Sequence, residues 1–451
     1  MPSGRIRSQG SSLNTGPWSF TTGAPGRGHA PSFTESSAPA FDSWVARADQ
    51  SWYPRFSPVS IRPGRRREKE DPIPAKTPQG SGDDSARPDS TPPSGADLEA
   101  LRHRIDEVDR RLIEVLSDRA RIVVEIGRAK GRSGDPIYVP HREQEVLARA
   151  LANNPGPLSD RTIEGIYREL MSGSFSLELP LRVGYLGPPG SFSHIAAVRH
   201  FGSSVECTDL HAIDGVFEEV AAGRCHYGLV PYENSIGGSV TDTLDLFREH
   251  EVTIYAEALI EVSQSLLANC PPDEIQRIFS RRQAFGQCRR WLSRQFPDAE
   301  LMETESTAAA VKRAATEPQS AAIGSTLAGK IYGVKLLFEH VEDKPNNVTR
   351  FLVIGREAAL PSGDDKTTMM FVTADKPGAL VDVLAVFRDA NINLSHIDKR
   401  PSGRTNWEYT FFIDCAGHCH DPNMAAAIEA AHRHCVSLKV LGSYPRAQRI
   451  L

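Results

Sequence analysis

Two cations set into an apolar helical stripe are the first residues whose placement asks for chemistry. Leu98, Leu101, Ile105, Val108, Leu112, Val115, Ile122 and Ile126 recur at three-four spacing. They predict one amphipathic helix over 97–132, about 54 Å long, with Asp97 as its cap. Arg119 falls on that stripe, between Val115 and Ile122. Lys130 follows eleven residues later, about 20° round the helix and roughly 16 Å along it, so the two share a face. Arg102 precedes Arg119 by seventeen residues, about 260° away, and is placed to serve a neighbouring subunit. A desolvated cation needs a partner, so the pair predicts an anionic ligand. An arginine snorkelling out of a helix seam is the structural alternative.

A second set of candidates lies downstream. GYLGPPGSFS (184–193) is glycine-rich after a predicted strand, but it has neither G-x-G-x-x-G nor G-K-[ST]. It is therefore neither a dinucleotide nor a P-loop fingerprint, and alone it reads as a tight strand-to-helix turn. It is followed in order by VPYENSIGGSVTDTLD, SRRQAFGQC, ESTAAA and NVTRF. Cys415, His418, Cys419, His420, His434 and Cys435 look metal-like. Their Cys-x-x-x-Cys-His spacing matches neither a haem site nor a common zinc pattern, so no metal is expected.

These residues must be positioned by at least three units. Residues 1–96 are dense in Ser, Pro, Gly and Arg without hydrophobic periodicity and read as a disordered extension. Their first acidic residue is Glu35, which also suits a transit peptide; an over-long gene start fits the composition as well. Residues 97–179 read as all-α, with further helices over 141–152 and 159–178 around the turn NNPGP. The long stripe cannot be buried inside so small a unit and calls for a partner helix from a second copy. From 180 to 357 short apolar runs alternate with helical patterns, which predicts an α/β unit with a largely parallel sheet. Residues 358–366 form a linker by composition. Residues 367–451 follow the order β-α-β-β-α-β of a ferredoxin-like α+β unit.

Composition narrows the function classes. Charged residues are 24% and hydrophobic ones 39%, as in a folded soluble protein. The net charge of −5 provides no basic field, so nucleic acid is not expected as a partner. No apolar run approaches the length of a membrane span. Seven scattered cysteines, an odd number, suit reduced thiols and a cytoplasmic location.

With these residues in view, 97–179 resembles the helical chorismate mutase family, through LRHRIDEVDRRLIEVLSDRARIVVEIGRAK, PHREQEVL and IYRELMSGSFSLE. The resemblance implies a site lined by Arg102 of the partner subunit, Arg119, Lys130, Arg142, Glu143, Ser174 and Glu178. The implied reaction, chorismate to prephenate, is pericyclic and needs no nucleophile. The enzyme must hold a dicarboxylate in its compact conformer and stabilise charge growing on the ether oxygen. Arginines suit carboxylate clamping, and Lys130 would face the ether oxygen. Ser174 and Glu178, four apart, share one face of the third helix. Val139 stands where an aspartate often contacts the ring hydroxyl, and Glu178 where some members carry glutamine. A glutamate donates to the ether oxygen only when protonated, so mutase activity is expected to fall as pH rises and Glu178→Gln to flatten the profile.

Residues 181–355 resemble prephenate dehydratase through the five ordered motifs, which implies a two-lobed fold like the periplasmic binding proteins with a site between the lobes. By that resemblance Thr349 is the general acid, with Glu233, Asn234, Ser235, Ser280 and Gln287 in the site. Loss of carbon dioxide accompanies departure of the ring hydroxyl, a poor leaving group that needs a positioned donor. Arg350 is a candidate for the substrate carboxylate, with a structural ion pair as the alternative. Glu233 has the alternative of a hydrogen-bonded structural carboxylate. Arg281-Arg282 replaces the His-Pro common in this motif.

Residues 367–451 resemble an ACT regulatory domain, through Gly378-Ala379-Leu380 and HIDKRPSG. The implied effector is phenylalanine, bound by Gly378, Ala379, Leu380, Asp398, Arg400 and Pro401 across a dimer interface. Asp398-Lys399-Arg400-Pro401 departs from the family's usual glutamate-serine-arginine-proline. The expected whole is a fused mutase and dehydratase making phenylpyruvate, a homodimer or larger, with no cofactor or metal. A dehydratase whose helical unit only dimerises, and a non-catalytic amino-acid-binding regulator, remain as alternatives. Prephenate and arogenate are not distinguished.

Overall fold

The computed structural model describes residues 95–133, 136–402 and 408–451. The expected extension over 1–96 lies outside the described residues except at its last two positions, and Gly403 of HIDKRPSG also lies outside. The chain opens with three helices, α1 (Gly95–Ser133), α2 (Pro140–Ala152) and α3 (Asp160–Glu178). α1 has 39 residues, about 58 Å. It is already running at Gly95, so Asp97 lies inside the helix and is not its cap. α2 begins at Pro140, whose fixed φ suits a first helical position. At α3 the Ser159 side chain accepts from the Thr162 N–H and caps the helix. α1 packs on α3, yet its apolar stripe is open: Leu112, Val115 and Ile122 are 52%, 64% and 57% exposed.

Next come β1 (Arg182–Leu186), α4 (Phe192–Phe201), β2 (Glu206–Leu210), α5 (Ile213–Ala221), β3 (Tyr227–Asn234), β4 (Gly238–Ser239), α6 (Thr241–Leu246) and β5 (Thr253–Glu261). A second lobe holds β6 (Ser265–Ala268), β7 (Arg277–Ser280), α7 (Arg282–Gln287), α8 (Arg289–Gln295), β8 (Glu300–Glu303), α9 (Thr307–Ala314), β9 (Ser320–Gly324), α10 (Thr326–Tyr332) and β10 (Leu336–Phe338). β11 (Val348–Gly355) then returns to the first lobe. The sheets run β2-β1-β3-β11-β5 and β10-β6-β9-β7-β8.

The expected largely parallel sheet is corrected to two mixed ones. Helical crossovers make β1 parallel to β2 and β3, and β7 parallel to β8 and β9. β11 instead inserts between β3 and β5, antiparallel to both, because the chain comes back from the other lobe. That return creates the two-lobed form.

The C-terminal unit comprises β12 (Asp365–Thr373), α11 (Ala379–Asp389), β13 (Leu394–Pro401), β14 (Tyr409–Ala416), α12 (Pro422–His432) and β15 (Cys435–Pro445). Its sheet runs β13-β14-β12-β15 with every pair antiparallel, as the split βαβ pattern requires. The presumed linker ends early, in a closed turn. The buried Asp365 carboxylate accepts from the Ser362 N–H and hydroxyl and from the Gly363 N–H. This sheet lies directly on the first lobe. At Gly442 a Cβ would stand 2.2 Å from the Ile254 carbonyl oxygen, so only glycine permits the approach of β15 to β5.

Candidate active sites

The helical unit brings four of its expected residues together. Arg119, on α1, donates to the Ser174 hydroxyl at 2.7 Å and to the Leu170 carbonyl at 3.4 Å. One helical turn along α3, Lys130 donates to the Glu178 carboxylate and to the Ile137 carbonyl, each at 3.1 Å. The Glu178 side chain is 8% exposed and that of Lys130 is 25%. Both cations therefore point inward along the α1–α3 seam, as their helical phase requires.

Three expected residues lie elsewhere in one chain. Arg102 is exposed on α1. Arg142 is exposed and pairs with Glu145 at 2.8 Å. Glu143 lines a separate hollow of ≈ 150 Å³, with Arg168, Phe175, His200 and Arg449 among its walls. The α3 residues Met171 and Phe175 that face this hollow are each one position beyond Leu170 and Ser174, about 100° round the helix. Burial pushes the Glu143 carboxyl up to about 8, with Arg168 pulling it back. Burial pushes the His200 imidazole down to about 4, and Arg168 adds to the shift. Val139 occupies the cap position of α2 without a side-chain bond.

In the two-lobed unit, β3 and β11 carry the candidates side by side. Their register pairs Thr349 with Asn234 and Arg350 with Glu233. The Asn234 carbonyl oxygen accepts from the Ile236 and Gly237 N–H groups at 3.1 and 2.8 Å. That leaves its NH₂ to donate to Thr349 Oγ1 at 2.9 Å and to Asn347 Oδ1 at 2.7 Å. The Thr349 hydroxyl is thus held as an acceptor toward Asn234, with its own proton available to another group. Ser235 exchanges backbone and side-chain bonds with Val348, which locks the two segments. Asn347 was not singled out in the sequence. Its Nδ2 is buried without a partner among the described residues, and its place in NVTRF was the available signal.

Glu233 is half exposed. His396, with Nδ1 3.6 Å away, holds its carboxyl below the usual range, and Arg350 at 3.8 Å adds to this. Arg350 is a correction to the clamp expectation. Its guanidinium is buried and donates to Glu257 at 2.7 Å, Asp414 at 2.5 Å and the Tyr444 hydroxyl at 2.8 Å. The structural alternative describes it.

The second-lobe candidates have internal partners. Ser280 is fully buried and donates to the Ile323 carbonyl at 2.9 Å. The Gln287 carbonyl accepts from Gln264 at 3.2 Å. Arg281 and Arg282 are exposed at the start of α7. GYLGPPGSFS does more than turn the chain. Ser191 caps α4, while the Pro189 and Gly190 carbonyls accept from Tyr332 and Ser325 of the other lobe.

In the C-terminal unit Gly378 caps α11 with φ 82°, a conformation that favours glycine, and Ala379 behind it is buried. Leu380 is half-buried against the sheet core. Along β13, residues 396, 398 and 400 share one face. Asp398 accepts from the Lys399 N–H, Arg400 pairs with Asp245 of α6, and the Pro401 carbonyl accepts from Arg248 at 2.6 Å. Thus the expected effector strand is docked against the first lobe. All seven cysteines are free, and no metal-ligating cluster occurs among the described residues. No helix among the described residues is long and apolar enough to cross a membrane.

Comparison with known proteins covers the same three units. Family models match as chorismate mutase type II over residues 101–179, prephenate dehydratase over 183–359 and ACT domain over 367–433. A bifunctional chorismate mutase/prephenate dehydratase from Stutzerimonas stutzeri is 44% identical over 357 residues, 78% of this chain and 98% of that one. One from Aquifex aeolicus is 38% identical over 356 residues, with the same coverage. Among solved structures, the prephenate dehydratase of Arthrobacter aurescens in complex with L-Phe has a TM-score of 0.56 and 34% identity, covering 59% of this chain and 90% of that one.

Proposed function

Because the chain belongs to the bifunctional chorismate mutase/prephenate dehydratase family, we propose how its residues divide the work. The chain is an isomerase and a lyase of phenylalanine biosynthesis, with an ACT domain for allosteric control. In the mutase, Arg119 and Arg102 of the partner subunit clamp the two carboxylates of chorismate. Lys130 and Glu178 meet the ether oxygen, with Ser174 orienting Arg119. Arg142 joins by releasing Glu145, an exposed pair that costs little to break. Glu143 stays outside substrate contact. The open stripe on α1 supports a homodimer in which the two long helices cover one another.

In the dehydratase, Thr349 gives its proton to the departing ring hydroxyl while Asn234 holds its oxygen. The aromatic ring formed by decarboxylation supplies most of the driving force. The observation that carries this reading is the Asn234–Thr349 bond at 2.9 Å, oriented by two backbone donors. Phenylalanine is the proposed effector at Gly378–Leu380 and Asp398–Pro401, and free cysteines support a cytoplasmic location. The unit boundaries are proposed at 97–179, 180–357 and 367–451. Incubation of the full chain with chorismate tests the whole: phenylpyruvate accumulates, and added phenylalanine slows it. Accumulation of prephenate alone would sink the dehydratase roles.

A further inference from the structure

The residue next to Thr349 is bound to a different domain. Side chains alternate along a strand, so Thr349 and Arg350 face opposite sides of β11. Arg350 reaches across to the ACT sheet, where it meets Asp414 on β14 and Tyr444 on β15. Asp414 is fully buried, and its other oxygen accepts from the Thr368 hydroxyl at 2.6 Å. Thr368 in turn contacts the Tyr444 hydroxyl. Glu257, beside Arg350, also accepts from Lys366 of β12 at 2.9 Å. The cluster holds two cations and two anions. The dehydratase supplies Arg350 and Glu257, and the ACT sheet supplies Lys366 and Asp414. Removing one member of such a buried set leaves a charge uncompensated. The Arg350 guanidinium also stacks over Tyr232, the neighbour of Glu233, at 4.9 Å.

We infer that Asp414 is a positioning residue for dehydration: held by Thr368 and acting through Arg350, it sets where the Thr349 hydroxyl stands. The inference rests on the proposed role of Thr349. A rotation of β14 relative to β11 moves Arg350, and the adjacent peptide carries that motion to Thr349 and its bond with Asn234. The ACT sheet is on this account a support behind the strand that carries Thr349, as well as a regulator.

The test uses the full chain, with the mutase assayed on the same preparation as a control for folding. Asp414→Asn is expected to lower dehydratase kcat about tenfold while KM for prephenate changes less than about twofold, because Asp414 acts through Arg350 on the position of Thr349 and neither Asp414 nor Arg350 touches the substrate. Tyr444→Phe removes a single hydroxyl and is expected to lower kcat about threefold, with the mutase unchanged. Arg350→Lys combined with Asp414→Asn is expected to cost little more than either alone. An unchanged kcat in both Asp414→Asn and Tyr444→Phe would overturn the inference. So would a rise in KM at constant kcat, which marks Arg350 as a substrate clamp, or a parallel fall of mutase activity in Tyr444→Phe. Thr349→Val, run alongside, separates the two readings: full turnover in that variant removes the general-acid role itself.

Discussion

The two catalytic regions are finished in different ways. The mutase seam has its cations aligned by one helix against another, but the apolar stripe of α1 and Arg102 are left facing outward. The dehydratase strands are covered on one side by the chain's own third unit, through Arg350, Asp414 and the close approach at Gly442. On the proposed reading, one site takes Arg102 from a second copy of the chain, and the other is supported from within it. The contrast follows from element type. A single long helix can bury only one flank on a neighbour, whereas a mixed sheet offers a whole face to a second sheet.

The sharpest way to separate the two regions is Thr349→Val. It is expected to lower prephenate turnover by about 10²–10⁴ while leaving chorismate turnover intact. Equal losses in both assays would break the comparison. Ile122→Asp puts a charge on the open stripe. Mutase activity is expected to fall by about 10²–10³ as the Arg102 clamp is lost, with the dehydratase retained and sedimentation showing smaller particles. Mutase activity in a monomer would show that the seam is complete alone.

The smallest effect concerns the hollow behind α3. Folding raises the Glu143 carboxyl from 4.5 to about 8. The folded chain keeps a proton that the unfolded chain releases, so stability falls as pH rises through that window. His200, lowered from 6.5 to about 4, acts in the opposite sense, and stability falls as pH drops through its window. Glu143→Gln is expected to abolish the loss on the alkaline side and keep the acid one. Melting temperatures measured from pH 5 to about 8 check this, and parallel curves for parent and variant would place Glu143 in water.

Much of this was legible in the sequence. The three-four spacing around Arg119 and Lys130 places both on the seam. HYGLVPYEN and VTRFLVIG are short apolar runs set between helical patterns, which marks them as strands. Less legible were β6, β8 and β10, three or four residues each, too short for a period to show. The direction of β11 was also hidden, since an antiparallel insertion depends on where the chain has been. Arg142 and Glu143 follow the family motif, yet adjacent helical residues point about 100° apart, and here they face different surroundings.

The sequence by itself determined which side chains share a face, because helical and strand periods are local properties of a few consecutive residues. Only the tertiary structure decided which charges meet. Arg350 finds Asp414 across 64 residues and Glu257 across 93. No local pattern encodes such a meeting, because it depends on how one sheet stacks on another and on which buried cation then lacks water.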